Sequence, residues 1–512
     1  MAKDSSNARV ARHGIVYVAG QIVGSVAVFI TLVILARQLH PADLGLYAIA
    51  IAFFTLLGIF STFSMGTSMR KKLAEDRGRE GRTKLVSSAY LIALSFSLVV
   101  ALIGIACSSF VAVQVYHQPQ ITGALMLASV LAIFWALFNI TIAVLVGIGR
   151  VTESAIVDVV YSVIQLIAAP LLVAMGYGVM GAVAGLGIGL VIGTVVGVLY
   201  IIKDLEIDRK AVDTDAMKEI VGFSVPVFIS TLALQGAYNL GILLLGTFAS
   251  ASVVANYYNA YKLGSLFVII INSMTFVLLP AFSAVASKAR RAQRMGPLFN
   301  RTVYFSALIL APAVAFVAAL SRPLIFLFFS RAYLLAPPYL AVMSFGIVLG
   351  MIWNYANVLF LGIGDTKSVV KYQLGAAAVQ VALLAILTPM FGIIGMLASL
   401  FVISPLIINV IYARVIREKL SVRMDLSKTY RVAIAAIALF VVLYGIAAAM
   451  NFRYLSVIVD LVVALLLYPP LVTLIGGIGN KDLKSLREVF GSRQLSVPLI
   501  KVLDYAALFA RR

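Results

Sequence analysis

The sequence is short of most of what soluble chemistry uses. It has one cysteine, Cys107, in 512 residues, so a disulfide within the chain, a cysteine-rich zinc site and a dithiol redox pair are all excluded. The three histidines, His13, His40 and His117, lie far apart in the sequence and offer no metal-ligand cluster; no metal and no cofactor are expected. Charged residues make up only 12% of the chain, too few to coat a globular body of this size. The phosphate-cradling pattern G-x-x-x-x-G-K-[ST] is absent. No segment between apolar stretches is long enough for an ATPase domain, which argues against transport driven by nucleotide hydrolysis in this chain. A cleavable leader is not expected either, because the apolar run after residues 1–13 is longer than that of a signal peptide.

What is present is apolar. Hydrophobic residues make up 62% of the chain and the mean hydropathy is +1.06, against about 45–50% apolar in soluble domains. Counting windows of about 20 apolar residues gives about fourteen transmembrane helices. They run over 14–36, 45–66, 85–110, 121–147, 153–175 and 179–202, then over 220–247, 254–285, 302–320, 338–361, 369–388 and 392–412, with a last pair at 432–450 and 455–475. The expected fold is therefore an all-α polytopic membrane protein. It would comprise a six-helix lobe over 1–202, a charged linker over 203–219, a second six-helix lobe over 220–431, a helix pair over 432–476 and an amphipathic tail over 477–512. In that tail Leu483, Leu486, Val489 and Phe490 fall on one helical face.

The net charge of +20 is not the mark of a nucleic-acid groove, because the basic residues sit in short loops between apolar runs. With a cytosolic N-terminus, 35 Lys and Arg lie in inner segments and four, Arg37, Arg322, Arg331 and Arg453, in outer loops. That bias sets the orientation of a multi-pass protein and puts both termini in the cytosol. Membrane lipids, not nucleic acid, are the expected surroundings.

The chain also repeats itself. Gly147 and Gly149 match Gly362 and Gly364 at an offset of 215 residues, and Asn139, Gln165 and Met175 match Asn354, Gln380 and Met390 at the same offset. Gly178 and Gly181 match Gly392 and Gly395 at 214. A six-span unit re-enters the membrane in its original sense, so the two halves are expected to be parallel repeats.

The stretch from Leu35, LARQLHPADLGLYAIAIAF, resembles the first-loop signature of the polysaccharide exporters and lipid-linked oligosaccharide flippases of the multidrug/oligosaccharidyl-lipid/polysaccharide superfamily. Ala36, Arg37, Pro41, Gly45 and Tyr47 carry the likeness. Pro226, Gly246, Tyr257 to Tyr261, Leu279 with Pro280, and Leu361 to Lys367 extend it over about residues 10 to 450. Many relatives carry an aspartate a few residues before the glycine at 246, whereas this chain has Asn239 and Gly241 there. The resemblance implies a non-enzymatic transporter of the plasma membrane. Such a protein flips a lipid-diphosphate-linked oligosaccharide or polysaccharide precursor to the outer leaflet by alternating access, with glycan-assembly proteins as further partners. A drug or cation antiporter of the same superfamily, and a membrane-embedded glycan polymerase or ligase, are the alternatives.

Ionisable groups inside spans are the natural site candidates, since each costs about 2.5–3.5 kcal/mol to insert. Lys262 follows Tyr258, Asn259 and Tyr261 in the eighth span. A cation among hydroxyls, an amide and ring faces suits a diphosphate or an acidic sugar; a lysine snorkelling behind an aromatic belt is the simpler use. Asp158 and Asp460 are the acids within spans. Asp158 is a candidate for ion coupling or for a structural pair with Lys262. Asn139, Asn354, Gln165 and Gln380 can recognise sugar hydroxyls without a charge penalty, or tie helix to helix. Arg37 in the first outer loop is a candidate phosphate contact or a topology residue.

The orientation is directly testable. In a Cys107-free background, cysteines introduced into the N-terminus, into the segment from Met69 to Lys84 and into the C-terminus are expected to react only after the membrane is breached. Labelling of any of the three from outside would reverse the topology.

Overall fold

The computed structural model describes residues 2–75, 78–286, 291–420, 424–452, 454–479, 482–483 and 505. The described residues are helical, without a strand, and divide into two compact units, 1–255 and 256–512. The tail expected over 477–512 lies almost wholly outside them, as does Arg453.

Unit 1 contains α1 (Ala2–Gln38), α2 (Pro41–Thr62), α3 (Met65–Ala74), α4 (Gly78–Phe110), α5 (Thr122–Gly147), α6 (Val151–Leu172), α7 (Gly178–Ile201) and α8 (Thr214–Phe248). The helix α9 (Ala251–Gly264) runs across the division. Unit 2 continues with α10 (Leu266–Ala286), α11 (Arg291–Ala319), α12 (Ser321–Phe328), α13 (Ala336–Gly362), α14 (Thr366–Leu397), α15 (Ser404–Leu420), α16 (Ser427–Ala449) and α17 (Tyr454–Leu474). Eleven segments among the described residues are long and apolar enough to cross a bilayer. Two of them, Val151–Ile201 and Thr366–Leu420, have 51 and 55 residues, about twice the roughly 20 that one crossing needs.

Each of those long segments folds back at glycine. Gly178 adopts φ 51°, ψ −132° and Gly392 adopts φ 56°, ψ −133°; this conformation is closed to residues with a Cβ. The first packing unit also reaches one helix beyond the 203–219 linker, because α8 docks on α2 and α3. Phe228 stacks on Phe63 with centroids 4.7 Å apart, Ser64 hydrogen-bonds Thr231 at 3.0 Å, and Lys72 lies 2.6 Å from Glu219. The expected eighth span, 254–285, is two helices. It breaks at Ser265, whose hydroxyl donates to the Lys262 carbonyl at 2.8 Å. The helices α3 and α12 are additional short elements.

Lipid drives few helix contacts by itself, so small residues set the packing. On α7, Gly181, Gly185, Gly189, Gly193 and Gly197 recur every fourth residue and form one stripe. A side chain at Gly185 would meet Ala169, and one at Gly189 would come within 2.7 Å of the Tyr161 carbonyl. Outward-facing Leu98, Val99, Leu102 and Ile103 on α4 are exposed, as a lipid-facing row requires.

The duplication is visible atom by atom inside each unit. After α5, the N–H groups of Ile148, Gly149 and Arg150 donate to the carbonyls of Val144, Val146 and Leu145. After α13, those of Ile363, Gly364 and Asp365 donate to Leu359, Leu361 and Phe360, each partner 215 residues further on. Gly149 and Gly364 have φ of 88° and 82°. An ion pair locks each turn to the end of a later helix, at matching positions but with the charges exchanged. Arg150 donates to Asp204, with Nη2 to Oδ1 at 2.7 Å. Lys419 Nζ lies 3.1 Å from Asp365 Oδ2.

Hydrogen bonds from Ser368, together with Lys419, hold the Asp365 carboxyl below the usual carboxylate range. Its contribution to stability is therefore full above about pH 4, the ordinary aspartate value, and is lost as pH falls below it. In solubilised protein, Arg150→Asp is expected to lower the melting temperature and Arg150→Asp with Asp204→Arg to restore most of the loss, a coupling of about 0.2–1 kcal/mol. Removing the second clamp with Lys419→Ala should have an effect that is constant from pH 8 to 5. A double-mutant cycle without coupling would show these pairs to be incidental.

Candidate functional site

The signature residues of the first loop have structural work. Pro41 starts α2 at a position where its missing N–H costs nothing. Gly45 faces the backbone of Ala251 so closely that any Cβ would run into the Ala251 carbonyl. A Cβ at Gly246 would come within 2.8 Å of the Tyr116 ring, and the Tyr116 hydroxyl donates to the Leu243 carbonyl at 3.1 Å. Tyr47 is buried. Together these residues seat the start of α2 and the end of α4 against the turn from α8 to α9. Arg37 ends α1 with its side chain exposed, where a cation favours the helix C-terminus.

In unit 1 the polar candidates gather on α6. Asp158, Ser162 and Gln165 are four and three residues apart, so they share one face. The half-buried Asp158 carboxylate accepts from Gln21 Nε2 of α1 at 3.4 Å. A Cβ at Gly24 would lie 3.1 Å from both the Asp158 Oδ2 and the Ser162 hydroxyl; the glycine makes room for this polar contact between α1 and α6. Gln165 is buried and its Oε1 has no hydrogen-bond partner among the described residues. Asn139, on α5, is half-buried and its amide donates to the Trp135 carbonyl one turn back, at 2.8 Å.

In unit 2 the candidates on α9 divide between faces. The Lys262 ammonium sits 5.2 Å from the centroid of the Tyr258 ring, a cation over an aromatic face. Within unit 2 it makes no ion pair among the described residues. Tyr257 and Tyr261 stack with centroids 6.2 Å apart and planes at 4°. Asn259 is fully buried beside Tyr333, and neighbouring Asn256 accepts from the Leu335 N–H at 3.1 Å. Asn256 thus braces α9 against the turn before α13, whereas neither amide atom of Asn259 has a hydrogen-bond partner among the described residues; Tyr258 and Lys262 form the cation–aromatic pair. Asn354 on α13 is exposed and donates to the Gly350 carbonyl at 3.4 Å, the counterpart of the Asn139 bond 215 residues earlier. Gln380 is buried on α14, as its counterpart Gln165 is on α6.

Gln21, Gly24 and Ser162 were not apparent as site residues in the sequence, because a single amide and a small residue in an apolar helix give no periodic signal. The three-dimensional contact with Asp158 reveals them. Asp460 on α17 is fully buried, and neither carboxylate oxygen has a hydrogen-bond partner among the described residues. No group of three or more His, Cys, Asp or Glu that could hold a metal occurs among the described residues.

This architecture matches solved membrane transporters. The lipid II flippase MurJ in an inward-closed conformation superposes with a TM-score of 0.74 at 16% identity, covering 89% of this chain and 98% of that one. An inward-facing multidrug-resistance transporter of the MATE family gives 0.63 at 17% identity over 78% and 94%. A transporter of the same superfamily from Pyrococcus furiosus gives 0.54 at 17% identity over 81% and 95%. The chain thus has the polytopic helical fold that the flippases and multidrug transporters of that superfamily share. It belongs to the polysaccharide biosynthesis protein family, whose family model matches residues 34–338. No curated protein matches it by sequence.

The cation over Tyr258 gives a specific test. Lys262→Gln is expected to reduce transport at least tenfold while protein abundance and melting temperature stay near those of the parent. Lys262→Arg should retain most activity. Full transport by the glutamine variant would leave Lys262 an interfacial anchor.

Proposed function

We propose that this protein moves a lipid-diphosphate-linked oligosaccharide or polysaccharide precursor from the cytosolic to the outer leaflet of the cell membrane by alternating access. The observation that carries the reading is membership in a polysaccharide biosynthesis family combined with a fold that covers 98% of a lipid II flippase. The chemistry of the candidate residues supports it. The cationic candidate, Lys262, stands over an aromatic ring, a combination that can hold phosphate oxygens and stack on a sugar. The amide candidates Asn139, Asn354, Gln165 and Gln380 would read hydroxyls, and Arg37 would meet phosphate at the exit. The protein acts as a carrier in this reading, not as a polymerase or ligase.

The driving force follows from the cargo. A diphosphate leaving an inside-negative cell moves downhill by about 2.3 kcal/mol per charge per 100 mV, so no dedicated coupling ion is required. Asp158 would then tie α1 to α6 through Gln21. In reconstituted vesicles, a membrane potential alone is expected to drive transport of the lipid-linked glycan, and Asp158→Asn should retain it. Transport that disappears in Asp158→Asn, yet survives loss of the potential under an imposed proton or sodium gradient, would replace uniport with antiport. Absence of any glycolipid movement in the presence of a potential would sink the flippase reading.

A further inference from the structure

Arg322 is a cation outside the candidate site on α6 and α9. It is the second residue of α12 and is exposed, at the end of unit 2 where α11 and α16 terminate. Its guanidinium carbon lies 5.7 Å from the ring centroid of Phe326 and 5.4 Å from that of Phe452. Phe326 is one helical turn on. Phe452 comes from the tight turn between α16 and α17, and its backbone is unusual. Asn451 and Phe452 both have left-handed φ, 52° and 50°, a costly state for residues with side chains and more so for two in succession. The turn is held by N–H bonds from Asn451 to the Ala448 carbonyl at 2.9 Å and from Phe452 to the Ala447 carbonyl at 2.7 Å. Its result is to lay the Phe452 ring against Arg322, with Tyr444 edge-on behind it at 5.6 Å.

Rings engage the faces of a guanidinium and leave its in-plane N–H fork free to donate. Among the described residues no carboxylate and no hydrogen-bond acceptor takes up that fork. The segments 320–335, 388–393 and 450–452 contain no aspartate or glutamate and carry Arg322 and Arg331. Asp460 lies deeper on α17, fully buried, and is not paired with Arg322. Leu327, five residues along the chain from Arg322, and Leu455, three after Phe452, are exposed.

We propose that Arg322, framed by Phe326 and Phe452, is a binding site for a lipid-borne phosphate group. The planar fork matches two phosphate oxygens, the acid-free segments leave an anion unopposed, and exposed leucines on α12 and α17 suit the hydrocarbon chain of the same molecule. The phosphate belongs either to an anionic phospholipid of the facing leaflet or to a polyprenyl diphosphate.

The test is native mass spectrometry of the purified full chain with phosphatidylglycerol, polyprenyl diphosphate and their phosphate-free counterparts, diacylglycerol and polyprenol. The parent protein is expected to retain at least one phosphate lipid over its counterpart. Arg322→Gln should weaken that retention roughly tenfold or more, the value of a charged hydrogen bond. Arg322→Lys should fall between, because it keeps the charge and loses the fork, and Phe452→Leu should move in the same direction. The lipid that responds names the source. Melting temperatures of the same samples separate binding from a purely mechanical role in pinning the α16–α17 hairpin to α12. If Arg322→Gln retained both phosphate lipids as the parent does, with or without a drop in melting temperature, the site would not exist. The assay reads binding alone, so its failure would leave the transport reading untouched.

Discussion

Every peptide N–H and C=O placed in hydrocarbon must find its partner inside the protein, and the rest of this structure follows from that requirement. Long uninterrupted helices satisfy it, which is why the described residues are helical throughout the apolar stretches. Departures from the helix occur where the freed groups can be satisfied some other way. The chain reverses at Gly178 and Gly392, whose φ and ψ only glycine adopts readily. It breaks at Ser265, where a hydroxyl takes over the Lys262 carbonyl. With the backbone satisfied within helices, close packing between them depends on small residues, and the glycine stripe of α7 is the clearest case.

The two halves solve this problem in the same way. Their turns after α5 and α13 share three backbone hydrogen bonds and a left-handed glycine, and each is clamped by an ion pair in which the acid and the base have changed places. Exchanging both partners preserves the attraction while altering both residues. Sequence comparison registers such a pair as two mismatches, Arg150 with Asp365 and Asp204 with Lys419, although the interaction is the same.

The candidate residues differ in what their surroundings allow. Asn256 is spent on bracing α9, and the paired amides of Asn139 and Asn354 each turn back on their own helix, while the buried amide of Asn259 has no hydrogen-bond partner among the described residues. Lys262 and Asp158 keep more of their chemistry available: one stands over a ring, the other against a single amide across a glycine gap. The proposed binding of a bulky, charged lipid calls for such sparsely engaged groups. Residues already fully used in packing would have to break contacts to reach a ligand.

Hydrophobic content and the spacing of charge determined by themselves that this is a polytopic helical membrane protein, because a bilayer accepts little else from a chain that is 62% apolar. The glycine and amide pairs at an offset of 215 also exposed the duplication, since turn geometry demands glycine at fixed places. The first-loop signature was legible as a family mark, and PADLGLY could be read without knowing why Gly45 must be glycine. Only the tertiary structure supplied the reason, the Ala251 backbone pressed against it. It alone divided the expected eighth span at Ser265 and joined α8 to the first unit. It also brought Gln21 to Asp158 across 137 positions and Phe452 to Arg322 across a hairpin. Contacts between residues far apart in the chain leave no periodic trace in the sequence, so they become visible only once helices pack.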